Sequence, residues 1–107
     1  MNLLFVCTKN KWRSPTAEKI YSNHPNLSVR SAGTSRSARK HINIKDIHWA
    51  DIVFVMENKH KRYINEQFRH QLDSKNIIVL DIPDDYHYMD KALISCLQDD
   101  IDSYLSL

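Results

Sequence analysis

Four apolar residues, Leu3, Leu4, Phe5 and Val6, run straight into Cys7, and this junction constrains the fold more than any other stretch of the chain. Five residues separate Cys7 from Arg13, and then come Ser14 and Pro15. The apolar run predicts a buried strand. Ser14 is a good helix N-cap and Pro15 suits a first helical position, so the sequence predicts a helix over 15–23. The segment reads strand, tight loop, helix. A loop of this kind turns several backbone N–H groups into one space, and the helix dipole adds positive potential there. It is an anion site with a cysteine at its start and, at its end, an arginine able to grip an oxyanion with two N–H groups.

The rest of the chain alternates. Residues 2–7, 27–31, 51–56 and 76–82 read as strands, and 15–23, 44–50, 57–70 and 91–105 as helices. The third strand is apolar throughout, as expected of a strand covered on both faces. The last helix repeats Leu93, Leu97, Ile101 and Leu105 at four-residue steps. Strands alternating with helices imply a parallel sheet with right-handed crossovers. The expected fold is therefore α/β: a single three-layer domain over 1–107, its four-stranded parallel sheet flanked by helices. Such sheets bind ligands at the carboxyl ends of their strands. Cys7 ends the first strand and Asp84 follows the fourth, so both fall on that edge. Gly33 is the only glycine, which marks a positive φ or a close backbone approach. Residues 34–43 are polar and basic and read as a solvated connector.

Composition narrows the function classes. Among 107 residues, 42% are hydrophobic and 26% charged, an ordinary globular balance. A net charge of +2 is too weak to argue for nucleic acid. No apolar run is long enough for a signal peptide or a membrane span, so a cytoplasmic location is expected and no membrane partner. In that setting Cys7 and Cys96 are not expected to pair. The six histidines are dispersed without metal-ligand spacing, most of them expected at the surface, and neither a metal nor a cofactor is called for.

Three ordered motifs carry a resemblance. Cys7-x5-Arg13-Ser14-Pro15, Ser31-Ala32-Gly33-Thr34 and Pro83-Asp84-Asp85-Tyr86 are similar to those of the low-molecular-weight protein tyrosine phosphatases, in short bacterial-type form. The resemblance runs from residue 2 to about 105. It implies a phosphatase P-loop after the first strand, with Cys7 as nucleophile forming a phosphocysteine. Arg13 and the N–H groups of Thr8, Lys9, Asn10, Lys11 and Trp12 would hold phosphate. Asp84 would be general acid and then base, with Asp85 as its neighbour and rival. Ser14 would donate to the thiolate or cap the helix, Ser31 would brace the loop, and Trp12, Tyr86 and Tyr88 would wall a phenyl-sized pocket. The implied substrate is a phosphotyrosine protein or a small aryl phosphate; the oligomeric state is left open.

The chain also departs from the family pattern. It is shorter than typical members, the shortfall lying between Gly33 and Asp51. Asp85 stands where the family has a second proline. Lys9 stands where glycine is common, which would cost about 1 kcal/mol if φ is positive there. Trp12 replaces a frequent second cysteine, and Cys96 sits on the apolar stripe of the last helix, so no internal resolving partner is expected for Cys7. An arsenate reductase would need further redox cysteines. A phosphocarrier or a silent phosphate-binding module would have little use for Arg13 and Asp84 together.

Overall fold

The structure is a computed structural model and describes residues 1–72 and 75–107. Among these residues four strands, β1 (Asn2–Cys7), β2 (Ser28–Gly33), β3 (Ile52–Val55) and β4 (Asn76–Val79), alternate with four helices. The helices are α1 (Arg13–Tyr21), α2 (Ile44–Trp49), α3 (Asn58–Phe68) and α4 (Lys91–Leu105). The sheet is parallel throughout, in the order β2-β1-β3-β4. Phe5 lies opposite Ser31 of β2 and Phe54 of β3.

The alternation of side chains along each strand explains why the strands are apolar without a break. Leu3, Phe5, Cys7 and Phe54 point to one face, where Ala17 and Tyr21 of α1 and Leu93, Leu97 and Ile101 of α4 cover them. Leu4, Val6, Val53 and Val55 point to the other and meet Ile47 of α2 and Ile64 of α3. Phe5 stacks between Tyr21 and Phe54 at ring distances of 6.1 and 5.7 Å. Leu105, expected on the buried stripe, is only partly buried at the helix end.

Several boundaries differ from expectation by a residue or two, and the β4 end and the α1 start differ for physical reasons. The β4 ladder ends at Val79, yet backbone pairing continues, with Leu80 and Ile82 N–H donating to Val55 and Met56 carbonyls. Asp81 between them is left-handed, with φ of 60°, so regular pairing stops while the chain stays against the sheet. Helix α1 begins at Arg13 and ends at Tyr21, not over 15–23. Ser14 is not its N-cap. Trp12 holds that position and offers no side-chain acceptor, because the Ser14 hydroxyl is engaged elsewhere. Helix α4, by contrast, is capped by Asp90, which accepts from Ala92 N–H at 2.9 Å. No helix among the described residues is long and apolar enough to cross a membrane.

Because β1 is paired on one side with β2 and on the other with β3, successive connections leave it in opposite directions. The loop after β1 therefore opens at the topological switch point of the sheet, where a crevice is unavoidable.

Candidate active site

Loop 7–13 fills that crevice. Cys7 is nearly buried at the end of β1, and its Sγ takes two contacts: Asn10 N–H at 3.2 Å and Ser14 Oγ at 3.0 Å. The Asn10 amide donates onward to Ser14 Oγ and Ser31 Oγ, both at 2.9 Å. Ser31 in turn donates to Glu18 Oε1 at 2.5 Å. Ser31 thus braces the loop, and Ser14 serves the sulfur rather than the helix end. The left-handed residue is Asn10, with φ of 54°; Lys9 is not among the positive-φ residues. Asparagine adopts that conformation at less cost than lysine would, so the strain expected at Lys9 does not arise.

The loop has two sides. On the outer side four successive carbonyls are pinned. Cys7 O accepts from Thr34 N–H at 3.0 Å, Thr8 O from Ser35 N–H at 2.9 Å, and Lys9 O from Arg39 N–H at 3.0 Å. Asn10 O accepts from Arg39 Nε at 3.0 Å. On the inner side the N–H groups of Lys9, Lys11, Trp12 and Arg13 find no protein acceptor among the described residues. Carbonyls turned out and amides turned in make a bowl of donors at an uncapped helix start. The segment expected to be a solvated connector is the clamp that turns them. Gly33 lies beneath it, and its role is close approach: no glycine here has a positive φ. A Cβ there would stand 2.6 Å from both Thr8 O and Ala38 Cβ.

Arg13 is 2% exposed and held from three sides. Its Nη1 donates to Glu57 Oε2 at 2.5 Å and to Ile82 O at 2.8 Å, and its Nε lies 3.6 Å from Asp84 Oδ1. Burial alone would raise the Glu57 carboxyl, but the hydrogen bond and charge of Arg13 outweigh it and hold it below the ordinary carboxylate range. Three residues on, His60 is buried, an exception to the surface placement expected of the histidines. Its Nδ1 accepts Glu57 N–H at 3.0 Å. The neutral ring therefore carries its proton on Nε2 and donates it to Thr8 Oγ1 at 2.8 Å. Burial first, and the Arg13 charge second, push its pKa down from 6.5 to about 4. Sequence reasoning misses Glu57 and His60. The available signal was position: both follow β3 closely and so fall on the carboxyl edge.

A cavity of about 620 Å³ opens over the loop, lined by Cys7, Lys9, Lys11, Trp12, Arg13, Ser37, Arg39 and Asp84. Asp84 is thus brought to the same cavity as the sulfur and the guanidinium, whereas Asp85 lies outside the lining; both are exposed. Trp12 meets His87 edge-on at 5.0 Å. Tyr86 does not line the cavity; it packs against the α1–α4 core beside Cys96, because apolar contact is available there. Tyr88 lines a neighbouring depression. Thr8 and Asn10 act from beneath the cavity rather than at its wall. Both cysteines are free thiols.

Comparison with known proteins finds similarity in sequence and in fold. Residues 2–47 match the family described as low molecular weight phosphotyrosine protein phosphatase. The match covers the loop and the first two strands, so this part of the chain is similar to that family. It is similar to the protein-arginine-phosphatase of Bacillus subtilis (strain 168), 32% identical over 95 residues. That alignment covers 64% of this chain and 63% of the relative, less than two thirds of its length. The same fold recurs in the tyrosine phosphatase Wzb of Escherichia coli K30 (TM-score 0.79, 19% identity, 98% of this chain and 96% of that one). It recurs also in the YwlE arginine phosphatase of Geobacillus stearothermophilus (0.74, 24%, 98% and 92%).

Proposed function

We propose that the chain hydrolyses aryl phosphate monoesters, phosphotyrosine foremost, through a phosphocysteine on Cys7. The observation that supports this reading is the convergence of Cys7, the inward-facing amides, Arg13 and Asp84 on one cavity. In the first step the Cys7 thiolate attacks phosphorus in line. The S–P bond forms, the P–O bond to the aryl oxygen breaks, and Asp84 gives that oxygen its proton. In the second step water attacks the phosphocysteine and loses a proton to Asp84. The S–P bond breaks, and phosphate leaves with the thiolate restored.

Arg13 acts electrostatically. Fixed by Glu57 and the Ile82 carbonyl, it needs no reorganisation as charge spreads over the transferring phosphoryl oxygens. Asn10 N–H and Ser14 Oγ stabilise the sulfur both as nucleophile and as leaving group. Lys9, Lys11 and Trp12 would meet the substrate beyond the phosphate. Tyr86, half-buried against the core, is not assigned that role. A cytoplasmic phosphoprotein is the fitting partner.

A second reading has one observation behind it: the relative at 32% identity is a protein-arginine-phosphatase, which makes phosphoarginine the competing substrate. The cations around the cavity weigh against a positively charged leaving group.

The test is phosphate release from p-nitrophenyl phosphate, a phosphotyrosine peptide and a phosphoarginine peptide. Cys7→Ser should abolish turnover of all three while still binding vanadate. Asp84→Asn should slow the phosphotyrosine peptide by about 100-fold, within the range general acids supply, and p-nitrophenyl phosphate less, since its leaving group needs the proton less. Full activity in Cys7→Ser overturns the phosphocysteine. A larger loss in Asp85→Asn than in Asp84→Asn reassigns the acid, and faster phosphoarginine release reassigns the substrate.

A further inference from the structure

The charges around the cavity exceed what a phosphate group needs. Arg13, on the floor, is already matched by Glu57. Lys9, Lys11 and Arg39 line the same cavity, are exposed, and make no ion pair among the described residues. Among the described residues Lys9 Nζ donates only to the Ser35 and Ser37 hydroxyls, and Lys11 Nζ stands 5.2 Å from the centre of the Trp12 ring. Arg39 spends Nε on the Asn10 carbonyl, which leaves its terminal nitrogens as a fork suited to a carboxylate.

These cations do not form one compact cluster. A second depression, of about 560 Å³, adjoins the first and shares Lys11 and Arg39 with it. Lys19 adds a further cation there, also outside any ion pair among the described residues. The carboxylate in that depression, Glu18, is engaged by Ser31. Positive charge thus runs outward from the phosphate bowl along one face, with the polarity to steer and seat an anionic chain.

We infer that the physiological substrate is an acidic phosphopeptide, with Asp or Glu beside the phosphorylated residue paired to Lys11 and Arg39. The inference rests on the phosphatase reading but not on which residue bears the phosphate. A small bisphosphate would engage a single second point. An extended peptide engages both depressions, and its carboxylates supply counter-charge that the protein itself leaves out. The arrangement also disfavours lysine- or arginine-rich flanks by like-charge repulsion.

The experiment compares phosphotyrosine peptides that differ only in flanking residues: Asp and Glu, Ala, or Lys. At low salt, kcat/KM should fall in that order, by about tenfold from acidic to alanine flanks, as two exposed ion pairs would supply. The spread should shrink at high salt. Lys11→Glu should remove the acidic preference and improve the lysine-flanked peptide. The same order among phosphoarginine peptides would support the inference equally. Equal rates across flanks, or an unchanged order in Lys11→Glu, would overturn it while p-nitrophenyl phosphate turnover leaves the phosphatase reading intact. If no substrate is turned over, anisotropy titration of Cys7→Ser with the same labelled peptides still decides: binding that ignores the flanks sinks the inference, and tighter binding of acidic flanks upholds it.

Discussion

His60 should make the fold acid-sensitive well above the carboxylate range. In the folded chain its pKa is pushed down to about 4, against 6.5 in the unfolded chain. The lowered value means that the unfolded state takes up a proton first as pH falls. Stability from this residue is therefore whole above pH 6.5 and is lost progressively between there and pH 4. At pH 5 the two proton affinities differ enough to cost about 2 kcal/mol, a large share of the stability of a domain this size. The cause is structural. Burial comes first, since a charged ring there loses its hydration; protonation at Nδ1 also ends the hydrogen bond from Glu57 N–H and brings a second cation to Arg13, with Lys59 also nearby. Urea unfolding of wild type and His60→Gln at pH 7.5, 6.5, 5.5 and 5.0 reads this directly. Wild type should lose about 2 kcal/mol across the series, while the variant, less stable at pH 7.5, should hold nearly constant. Parallel profiles for the two proteins would refute the reasoning, since the slope would then come from other groups.

Gly33→Ala should cost about 2–3 kcal/mol by overpacking, because the new Cβ meets the Thr8 carbonyl and Ala38 at 2.6 Å; urea midpoints measure it, and kcat should fall as the loop shifts. Glu57→Gln removes the counter-charge of Arg13 and should lower stability by about 1–2 kcal/mol. Millimolar inorganic phosphate, by supplying negative charge to the same guanidinium, should narrow that gap in melting temperature. Tyr21→Phe deletes the 2.5 Å hydrogen bond from α1 to Asp102 of α4; it should cost about 1 kcal/mol in denaturant unfolding and leave kcat unchanged.

Much of the fold was legible because burial on two faces writes itself into sequence. Residues 51–56 could hardly be anything but a central strand, and the four-residue steps from Leu93 marked α4. The convergence of Cys7, Arg13 and Asp84 was legible because loop, helix start and sheet edge fix where they must meet. Local propensity misled at Ser14. A good capping residue was read as a cap, whereas the sulfur competes for the same hydroxyl. Tyr86 misled for a similar reason, since aromatic rings serve cores as well as pockets. Glu57 and His60 had no motif, only a place after β3. The grip of 34–39 on the loop left no trace in composition, because most of its bonds come from backbone N–H groups, which every residue but proline possesses.

That grip bears on how the protein comes together. The bowl's shape is contributed half by residues near the N-terminus and half by a segment some thirty positions later, docked only once the first two strands lie side by side. A nascent or unfolded chain holding residues 1–21 alone would lack it, whatever its local preferences. Competence for anions should therefore appear late in refolding, together with global cooperativity, and not with the first helix.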